Sequence, residues 1–155
     1  MACVNFWTLL ALALAVLWLQ ANVIAYAALR ALRAEARVRW EALLSLEQIL
    51  QEWLASSGKL SPALIQRWRE VLKERIWPED ASGVRAFFEA RRLSRDLAVQ
   101  SDSAVLELRS AEAVRRYAEA AALYNGRIPH RSGWPLTKWM GFMPVEEPPS
   151  HRGEN

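Results

Sequence analysis

The side chains best suited to nucleophilic or metal chemistry are few in this chain and far apart. The two histidines, His130 and His151, lie in a proline-rich stretch, and the single cysteine, Cys3, precedes a long apolar run. A hydrolytic site or a zinc site needs several such groups around one atom. The motifs G-x-G-x-x-G and G-x-S-x-G, which cradle phosphates or present a serine, are missing. The sequence therefore predicts a protein that is not an enzyme and holds no cofactor or metal.

The charged residues are distributed unevenly along the chain. All 20 basic and all 17 acidic side chains lie after residue 29, and they leave a net charge of +3. Charge is nearly balanced along each predicted helix, and no basic stripe carries interleaved aromatic side chains on which bases could stack. We therefore expect no nucleic-acid partner, and no small-molecule substrate is evident.

Residues 1–30 carry the features of a membrane anchor. From Phe6 to Leu29 there are 24 uncharged residues, which as a helix extend about 36 Å and can cross a hydrocarbon core of roughly 30 Å. Trp7 and Tyr26 stand at the two ends, where aromatic side chains commonly meet the membrane interface. The sequence predicts a single transmembrane helix with the lipid bilayer as its partner.

The anchor contains two polar side chains, and a cleaved signal peptide is an alternative interpretation of it. Gln20 and Asn22 lie toward its far end, where they would meet lipid headgroups or a partner helix. The stretch 25–27, Ala-Tyr-Ala, resembles the cleavage site of a signal peptide. No basic residue precedes the apolar run, and helical periodicity continues beyond the site, so a permanent anchor is favoured.

The orientation of the anchor follows from the charges beside it. Arg30, Arg33, Arg37 and Arg39 follow the apolar run, with Glu35 as the one acidic residue among them. Basic residues next to a span are enriched on the cytoplasmic side. We expect a single-pass protein of the cell (inner) membrane with its helical body in the cytoplasm.

The polar body is predicted to be helical. No glycine or proline interrupts residues 6–57, so one helix of about 50 residues can run from the bilayer to a stop at Gly58. Capping signals predict a second helix from 61–62 and a third from 82–83, and a fourth is expected to end at 125–126 in a left-handed turn.

Apolar positions recur at steps of three and four residues through the body, as expected for helices with one buried face. The fold class is therefore all-α: a single N-terminal transmembrane helix continuing into an elongated antiparallel three- to four-helix bundle over residues 31–128. The side chains expected to face inward include Ala36, Trp40, Leu43, Leu50, Trp68, Val84, Phe87, Phe88, Arg91, Ser94, Ser110, Tyr117, Ala121 and Tyr124.

Residues 129–155 form a tail rich in proline and tryptophan. Trp134, Trp139, Phe142 and Met143 make its first part apolar enough to dock onto the helices, the bilayer surface or a partner. Residues 145–155 are polar, which predicts a mobile end.

Two stretches of the sequence carry a family resemblance. Residues 115–129 read Arg-Arg-Tyr-Ala-Glu-Ala-Ala-Ala-Leu-Tyr-Asn-Gly-Arg-Ile-Pro, and residues 141–144 read Gly-Phe-Met-Pro. This pattern resembles the C-terminal signature of the LemA family, with Tyr117, Tyr124, Asn125 and Phe142 as the matching residues. The basic and acidic motif usual in that family is missing at 51–60, so the chain resembles a divergent, shortened member. The resemblance implies a membrane-tethered helical bundle without a known catalytic activity.

Together these features predict a non-enzymatic, single-pass membrane protein that acts as a helical scaffold or an interaction and assembly platform. Its expected partners are the bilayer and either other membrane proteins or further copies of itself. An alternative is an accessory subunit of a larger integral membrane complex, packed through Gln20 and Asn22. A third, from another class, is an enzyme whose site the sequence does not reveal.

Overall fold

The computed structural model of the chain describes residues 5–58, 61–73, 76–99, 104–128 and 141–149. Four helices run through these ranges, and no strand occurs in them. Their bounds are Phe6–Ser56 (α1), Pro62–Lys73 (α2), Ala81–Val99 (α3) and Ala104–Arg127 (α4). The all-α prediction is confirmed for this part of the chain.

The first helix, α1, is a single uninterrupted element of 51 residues, as the sequence predicts. It ends where expected, because Gly58 adopts a φ of 69° just after the C-cap residue Ser57. That left-handed conformation costs little for glycine, which has no Cβ, and disfavours other residues.

The N-terminal half of α1 is the one stretch of the described residues that is long and apolar enough to cross a membrane. A helix in the core of a soluble protein would bury such side chains. Here they are exposed along the helix, among them Leu12 at 64%, Leu17 at 60% and Ile24 at 69%. This half of α1 is therefore a candidate span, although a signal sequence near an N-terminus has the same length and composition. We call it the candidate span.

The starts of α2 and α3 follow from side-chain caps. Ser61 caps α2 as predicted, since its Oγ accepts a hydrogen bond of 3.3 Å from the amide of Leu64. Asp80, rather than residues 82–83, caps α3: its Oδ1 accepts bonds of 2.7 Å and 3.1 Å from the hydroxyl and amide of Ser82. The bond from the Ser82 hydroxyl, followed by bonds from the amides of Gly83 and Ser82, holds the pKa of Asp80 below its usual value.

The end of α4 differs from the prediction. Residues 125–126 do not form a left-handed turn; the helix continues through Arg127, and the amide of Ile128 still bonds the carbonyl of Asn125 at 3.2 Å. Gly126 keeps an ordinary helical backbone, at a cost of about 0.5–1 kcal/mol relative to alanine. The Asn125 side chain, which the prediction used as a stop signal, instead binds residues near the C-terminus.

The contacts between α1 and α4 run in opposite order along the two helices. Glu47 bonds to Ser110 near one end, and the Trp40 ring lies 5.0 Å from the Tyr117 ring nearer the candidate span. Contacts between α1 and α3 run in the same order, since Trp40 meets Phe87 and Glu47 meets Arg91.

The core lies between α1, α2, α3 and α4 and centres on Trp40. The centroid of its ring is 5.1 Å from that of Phe87, and its Nε1 donates a hydrogen bond of 2.8 Å to the carbonyl oxygen of Ile76. The inward faces predicted from periodicity are confirmed, except that Arg91 is partly rather than fully buried. The buried side chains on them include Ala36, Trp40, Leu43, Leu50, Trp68, Val84, Phe87, Phe88, Ser94, Ser110, Tyr117, Ala121 and Tyr124.

Candidate functional site

A C-terminal segment without helix or strand lies against the helical body. We call residues 141–149 the C-terminal strap. Val145, near its middle, is only 3% exposed and belongs to the main hydrophobic cluster. The expectation of a mobile end is therefore wrong for residues 145–147, because the Val145 side chain packs into the core and Glu146 and Glu147 bond to the helical body. Residues 150–155 lie outside the described part of the chain.

Two tyrosines of α4 hold the strap by its backbone. The Tyr117 hydroxyl donates a hydrogen bond of 2.6 Å to the carbonyl oxygen of Glu146, and the Tyr124 hydroxyl donates one of 2.9 Å to that of Met143. Seven residues separate the tyrosines, which places both on the same helix face. Burial raises the pKa of both phenols, and for Tyr117 the nearby carboxylates raise it further, so both stay protonated donors at neutral pH.

Asn125, the residue after Tyr124 in α4, also binds the backbone of the strap. Its Nδ2 donates to the carbonyl oxygen of Val145 at 2.8 Å, while its Oδ1 accepts from the Val145 amide at 3.0 Å. The connection before α3 contributes as well, because the carbonyl oxygen of Pro78 accepts a bond of 2.8 Å from the Glu146 amide. Both backbone polar groups of the buried Val145 are thus paired.

The first part of the strap contacts the end of the candidate span. The Phe142 ring meets the Tyr26 ring edge to face at 5.6 Å, and the Arg33 guanidinium lies 6.0 Å from the Phe142 centroid. Of the three surfaces considered for Phe142, namely the helices, the bilayer and a partner, the structure shows the first: its ring is half-buried against α1 and the main cluster. Met143, also expected to dock, is instead 57% exposed. Trp134 and Trp139, the remaining two residues expected to dock, lie outside the described residues.

An ion-pair cluster joins α1 to the connection between α2 and α3. Arg33 Nε and Arg37 Nη2 each lie 2.8 Å from Glu79 Oε1, and the Arg37 guanidinium also covers the Trp77 ring at 4.8 Å. Burial pushes the pKa of Glu79 upward, but the hydrogen bonds from both arginines outweigh it and hold the pKa below its usual value.

This cluster gives two of the predicted orientation signals a second role. Arg33 and Arg37 bind the body, and Arg39 pairs with Glu35 at 2.7 Å. Arg30 is exposed, and no ion pair of it occurs among the described residues. Sequence reasoning could not distinguish these arginines, because the positions of residues in the chain do not show which arginine will face a distant carboxylate.

We expect Glu79 to make the fold sensitive to acid. The pKa of Glu79 is lower in the folded state than the usual 4.5. The ionised Glu79 therefore contributes fully to the free energy of unfolding above pH 4.5, and this contribution is lost as the pH falls through the folded-state pKa. Glu79→Gln should flatten the loss of stability below pH about 4.5, measured by urea unfolding in detergent. The exposed Glu70→Gln is the matched control, and an identical pH slope in both variants would contradict this role.

A second polar cluster lies inside the body. Glu47 is 0% exposed, and its Oε1 accepts hydrogen bonds from Arg91 Nε at 2.7 Å and from the Ser110 hydroxyl. Arg91 Nη2 donates to Ser110 Oγ at 2.9 Å as well, so one residue from each of α1, α3 and α4 meets here. We call Glu47, Arg91 and Ser110 the interior polar triad.

Further polar groups surround the triad. Gln51 donates to Ser94 Oγ at 3.1 Å, and Glu107 Oε1 lies 3.7 Å from Arg91 and 3.3 Å from Arg95. Burial raises the pKa of Glu107, although the charge of Arg91 opposes this. Since Glu47 and Ser110 are fully enclosed, a substrate cannot reach them in this conformation. The cluster is therefore suited to fixing how the helices align, a recognised use of buried ionic groups.

Of the residues predicted to matter in the candidate span, Trp7 and Gln20 are exposed and Asn22 is half-buried. Trp7 is exposed and meets Phe6 edge to face at 5.8 Å, and Gln20 is exposed. Asn22 is half-buried and donates a hydrogen bond of 2.7 Å to the carbonyl oxygen of Trp18, one turn earlier in the same helix. One donor of the Asn22 amide is therefore satisfied within α1, whereas Gln20 shows no such bond in the described structure.

Among the grooves on the described surface of the body, two have the composition of an interface. One, of about 490 Å³, lies between α1 and α2 and is lined by Gln51, Ile65, Trp68 and Leu72 among others. The other, of about 380 Å³, lies between α1 and α4, where Leu108 is 72% exposed. Both have apolar floors and charged rims, the composition common in protein interfaces.

Three residues were considered for metal binding or nucleophilic chemistry. Cys3, His130 and His151 lie outside the described residues. Within those residues no group of three or more His, Cys, Asp or Glu side chains is placed to hold a metal ion.

Sequence reasoning missed three residues that organise the sites. Glu47 was detectable, since it lies four residues after Leu43 and therefore on the buried face of α1. Val145 is an apolar residue between proline and two glutamates, a weak signal in a stretch otherwise polar. Glu79 carried no signal at all, because its partners Arg33 and Arg37 are more than 40 residues away in the chain.

Asn125→Ala is expected to loosen the strap without unfolding the helices. It leaves the buried amide and carbonyl of Val145 without partners, which should weaken the contact by about 1–3 kcal/mol. Hydrogen exchange at the Val145 amide should accelerate in the variant. Leu123→Ala, an exposed change on the same helix, is the control, and equal protection in both variants would argue against this role of Asn125.

In comparisons with protein-family models, curated protein sequences and solved structures, the chain matches none of them significantly.

Proposed function

We propose that this chain is a non-enzymatic, single-pass protein of the cell (inner) membrane whose helical body serves as a scaffold or an interaction and assembly platform. The observation that carries the proposal is the continuity of α1. Its first half is uncharged and exposed, and its second half supplies Trp40, Leu43 and Leu50 to the core of the body. One helix thus joins anchor and body without a hinge residue between them, since it contains no glycine or proline.

The exposed half of α1 needs an apolar environment. Soluble monomers rarely expose apolar patches larger than a few hundred Å², whereas nearly every residue from 6 to 24 is exposed here. A bilayer core of about 30 Å would cover them. The positions of Trp7 and Tyr26 at the two ends support the same placement.

The body is proposed to stand on this span as an elongated antiparallel bundle. The reversed order of contacts between α1 and α4, and the caps that separate the helices by short connections, support this arrangement. The interior polar triad would fix the register of three helices, which suits a body that presents constant surfaces to partners.

A cytoplasmic position of the body is proposed from its basic flank. The rule counts lysine and arginine, and acidic residues contribute little to it. The ion pairs of Arg33 and Arg37 with Glu79 therefore do not remove these arginines from the count. Arg30 and Arg39 add to it on the same side of the span.

The platform proposal is tested by cross-linking mass spectrometry of the full chain in intact membranes. We expect the chain to remain in the membrane fraction after alkaline extraction, with cross-links from its body to neighbouring proteins or to other copies. Leu17→Arg, a charge at mid-span costing about 2.5–3.5 kcal/mol, should release part of the chain, whereas Leu17→Ile should not. A chain that is extracted without detergent, or that has no neighbour in membranes, would overturn the proposal.

A second candidate is an accessory subunit of a larger integral membrane complex. It is favoured by Gln20, whose polar side chain is exposed on the face of α1 that lipid would otherwise cover. Contacts between polar side chains of membrane helices contribute about 0.6–2 kcal/mol. Gln20→Leu should therefore loosen the complex more than Asn22→Leu, because Asn22 already bonds within α1. Equal co-purification of both variants and the unmodified chain would contradict this candidate.

We also propose that the chain is a divergent, shortened member of the LemA family. The proposal is supported by the clustering of the resembling residues: Tyr117, Tyr124 and Asn125 all bind the strap that carries Phe142. Residues of a shared signature are expected to act at one place. If the strap could be removed with no effect on the stability of the body, this support would be lost.

A further inference from the structure

The body binds the strap mostly through the main-chain atoms of the strap. Tyr124, Asn125 and Tyr117 bind main-chain atoms of residues 143, 145 and 146, and the carbonyl of Pro78 binds one more. Val145 is the one strap side chain that is fully buried among those described. The body therefore forms a groove that accepts a short peptide by its main chain and one apolar side chain, which is a recognised mode of peptide recognition.

Charge complementarity adds specificity to this groove. Arg85 of α3 pairs with Glu146 at 2.9 Å, and the Asn125 amide reaches the Glu147 carboxylate at 2.9 Å. The fitting ligand is an apolar residue followed by two acidic ones. Every copy of this chain carries such a segment.

We propose that the groove also accepts residues 141–149 of a second copy, so that neighbouring copies in one membrane are linked by exchanged straps. The contacts of an exchanged strap are the same as those made within one chain, so exchange loses no contact in the groove. Such swapping of an identical element is a low-cost route to dimers. The balance between the two states then depends on the connecting chain and on the local concentration of copies.

The connection is long enough for the exchange. Tyr124 and Asn125, close to the end of α4, bond directly to Met143 and Val145, so the gap that must be closed within one chain is short. Gly141 follows Ile128 by 13 residues. A fully extended chain of that length spans up to about 43–47 Å. That distance exceeds the diameter of a helical pair, at about 10–12 Å for each helix.

Anchoring favours the exchange between copies. The inference rests here on the proposed function, since two copies inserted with the same orientation hold their grooves at the same height above the bilayer. Confinement to one membrane raises the effective concentration of each strap near its neighbour's groove. The inferred partner is therefore a second copy in the same membrane.

The experiment uses two differently tagged full-length copies in a Cys3→Ser background, co-reconstituted in liposomes. One copy carries Arg85→Cys and the other Glu146→Cys, so that a short bis-maleimide can join them only between chains. We expect a cross-linked heterodimer that a synthetic peptide of residues 141–149 suppresses and the same peptide with Val145→Asp does not. Leu93→Cys, exposed on the same helix, replaces Arg85→Cys in the control and should give several times less product.

Absence of the heterodimer, although each cysteine reacts with a monofunctional maleimide, would show that the strap binds only within its own chain and would overturn the inference. Equal product from the Leu93→Cys control, or no effect of the peptide, would have the same consequence. The platform proposal would survive these outcomes if membrane cross-linking still found other neighbours. It would fail, independently of them, if the chain left the membrane on alkaline extraction.

Discussion

Replacing Arg91 with methionine is expected to lower the free energy of unfolding by about 3–5 kcal/mol, because it strands a charged carboxylate in the core. Glu47 is fully buried, and Arg91 Nε at 2.7 Å is its one cationic partner within hydrogen-bonding distance in the described structure. Its other oxygen, Oε2, is buried without a partner, so the remaining carboxylate would keep only the Ser110 hydroxyl. Urea unfolding in mild detergent, followed by circular dichroism, measures the loss.

The double variant separates the charge from the packing. Glu47→Leu combined with Arg91→Met removes both ions and should recover most of the stability, since apolar replacement of a buried pair is often neutral or stabilising. Arg109→Met, an exposed arginine on α4, is the matched control, with an expected change within about 0.5 kcal/mol. A loss for Arg91→Met no larger than the control would mean that Glu47 is not held as a buried anion.

Trp40→Ala is expected to cost about 3–5 kcal/mol, the range for deleting a large aromatic side chain from a core. The Trp40 ring contacts aromatic side chains of both α3 and α4, and its Nε1 bonds the carbonyl of Ile76 at 2.8 Å. The alanine variant would thus leave a cavity at the junction of the helices and an unpaired carbonyl before α3. The same unfolding measurement applies.

Trp40→Phe divides this loss into its parts. Phenylalanine keeps much of the apolar volume but cannot donate to Ile76, so it should cost about 1–3 kcal/mol for the unpaired carbonyl, with a small packing term added. Leu108→Ala, which truncates a side chain that is 72% exposed, should leave the stability nearly unchanged. Equal losses for Trp40→Phe and Trp40→Ala would place the effect in the hydrogen bond rather than in the core.

These two predictions concern different parts of the same assembly. Trp40 supplies apolar contact area, which stabilises any compact arrangement of the helices. The interior polar triad is expected to fix the register, because its hydrogen bonds join one residue from each of α1, α3 and α4. Loss of Trp40 should therefore reduce stability, while the apolar double variant should retain stability and tolerate other registers.

Local patterns in the chain were enough to predict the four helices, but not every helix end. The apolar period identified the buried faces of the helices, and the absence of glycine and proline over residues 6–57 predicted the length of α1. Helix ends depend on a few neighbouring residues, which explains why the stops and caps at Gly58 and Ser61 were found. The end of α4 was wrong for a tertiary reason, since Asn125 binds the strap instead of ending the helix.

The tertiary structure decided which polar residues meet and where the C-terminal segment lies. Glu79 joins Arg33 and Arg37 across more than 40 residues, and Glu47 joins Arg91 across 44. Pairings at such separations leave no periodic trace, because they depend on how whole helices are placed. Val145 shows the same difference: its backbone has no helix to satisfy it, so its burial required donors and acceptors from α4 and the residues before α3. Composition and periodicity thus determine an apolar helix joined to a helical body, while packing alone selects its ion pairs and closes the strap.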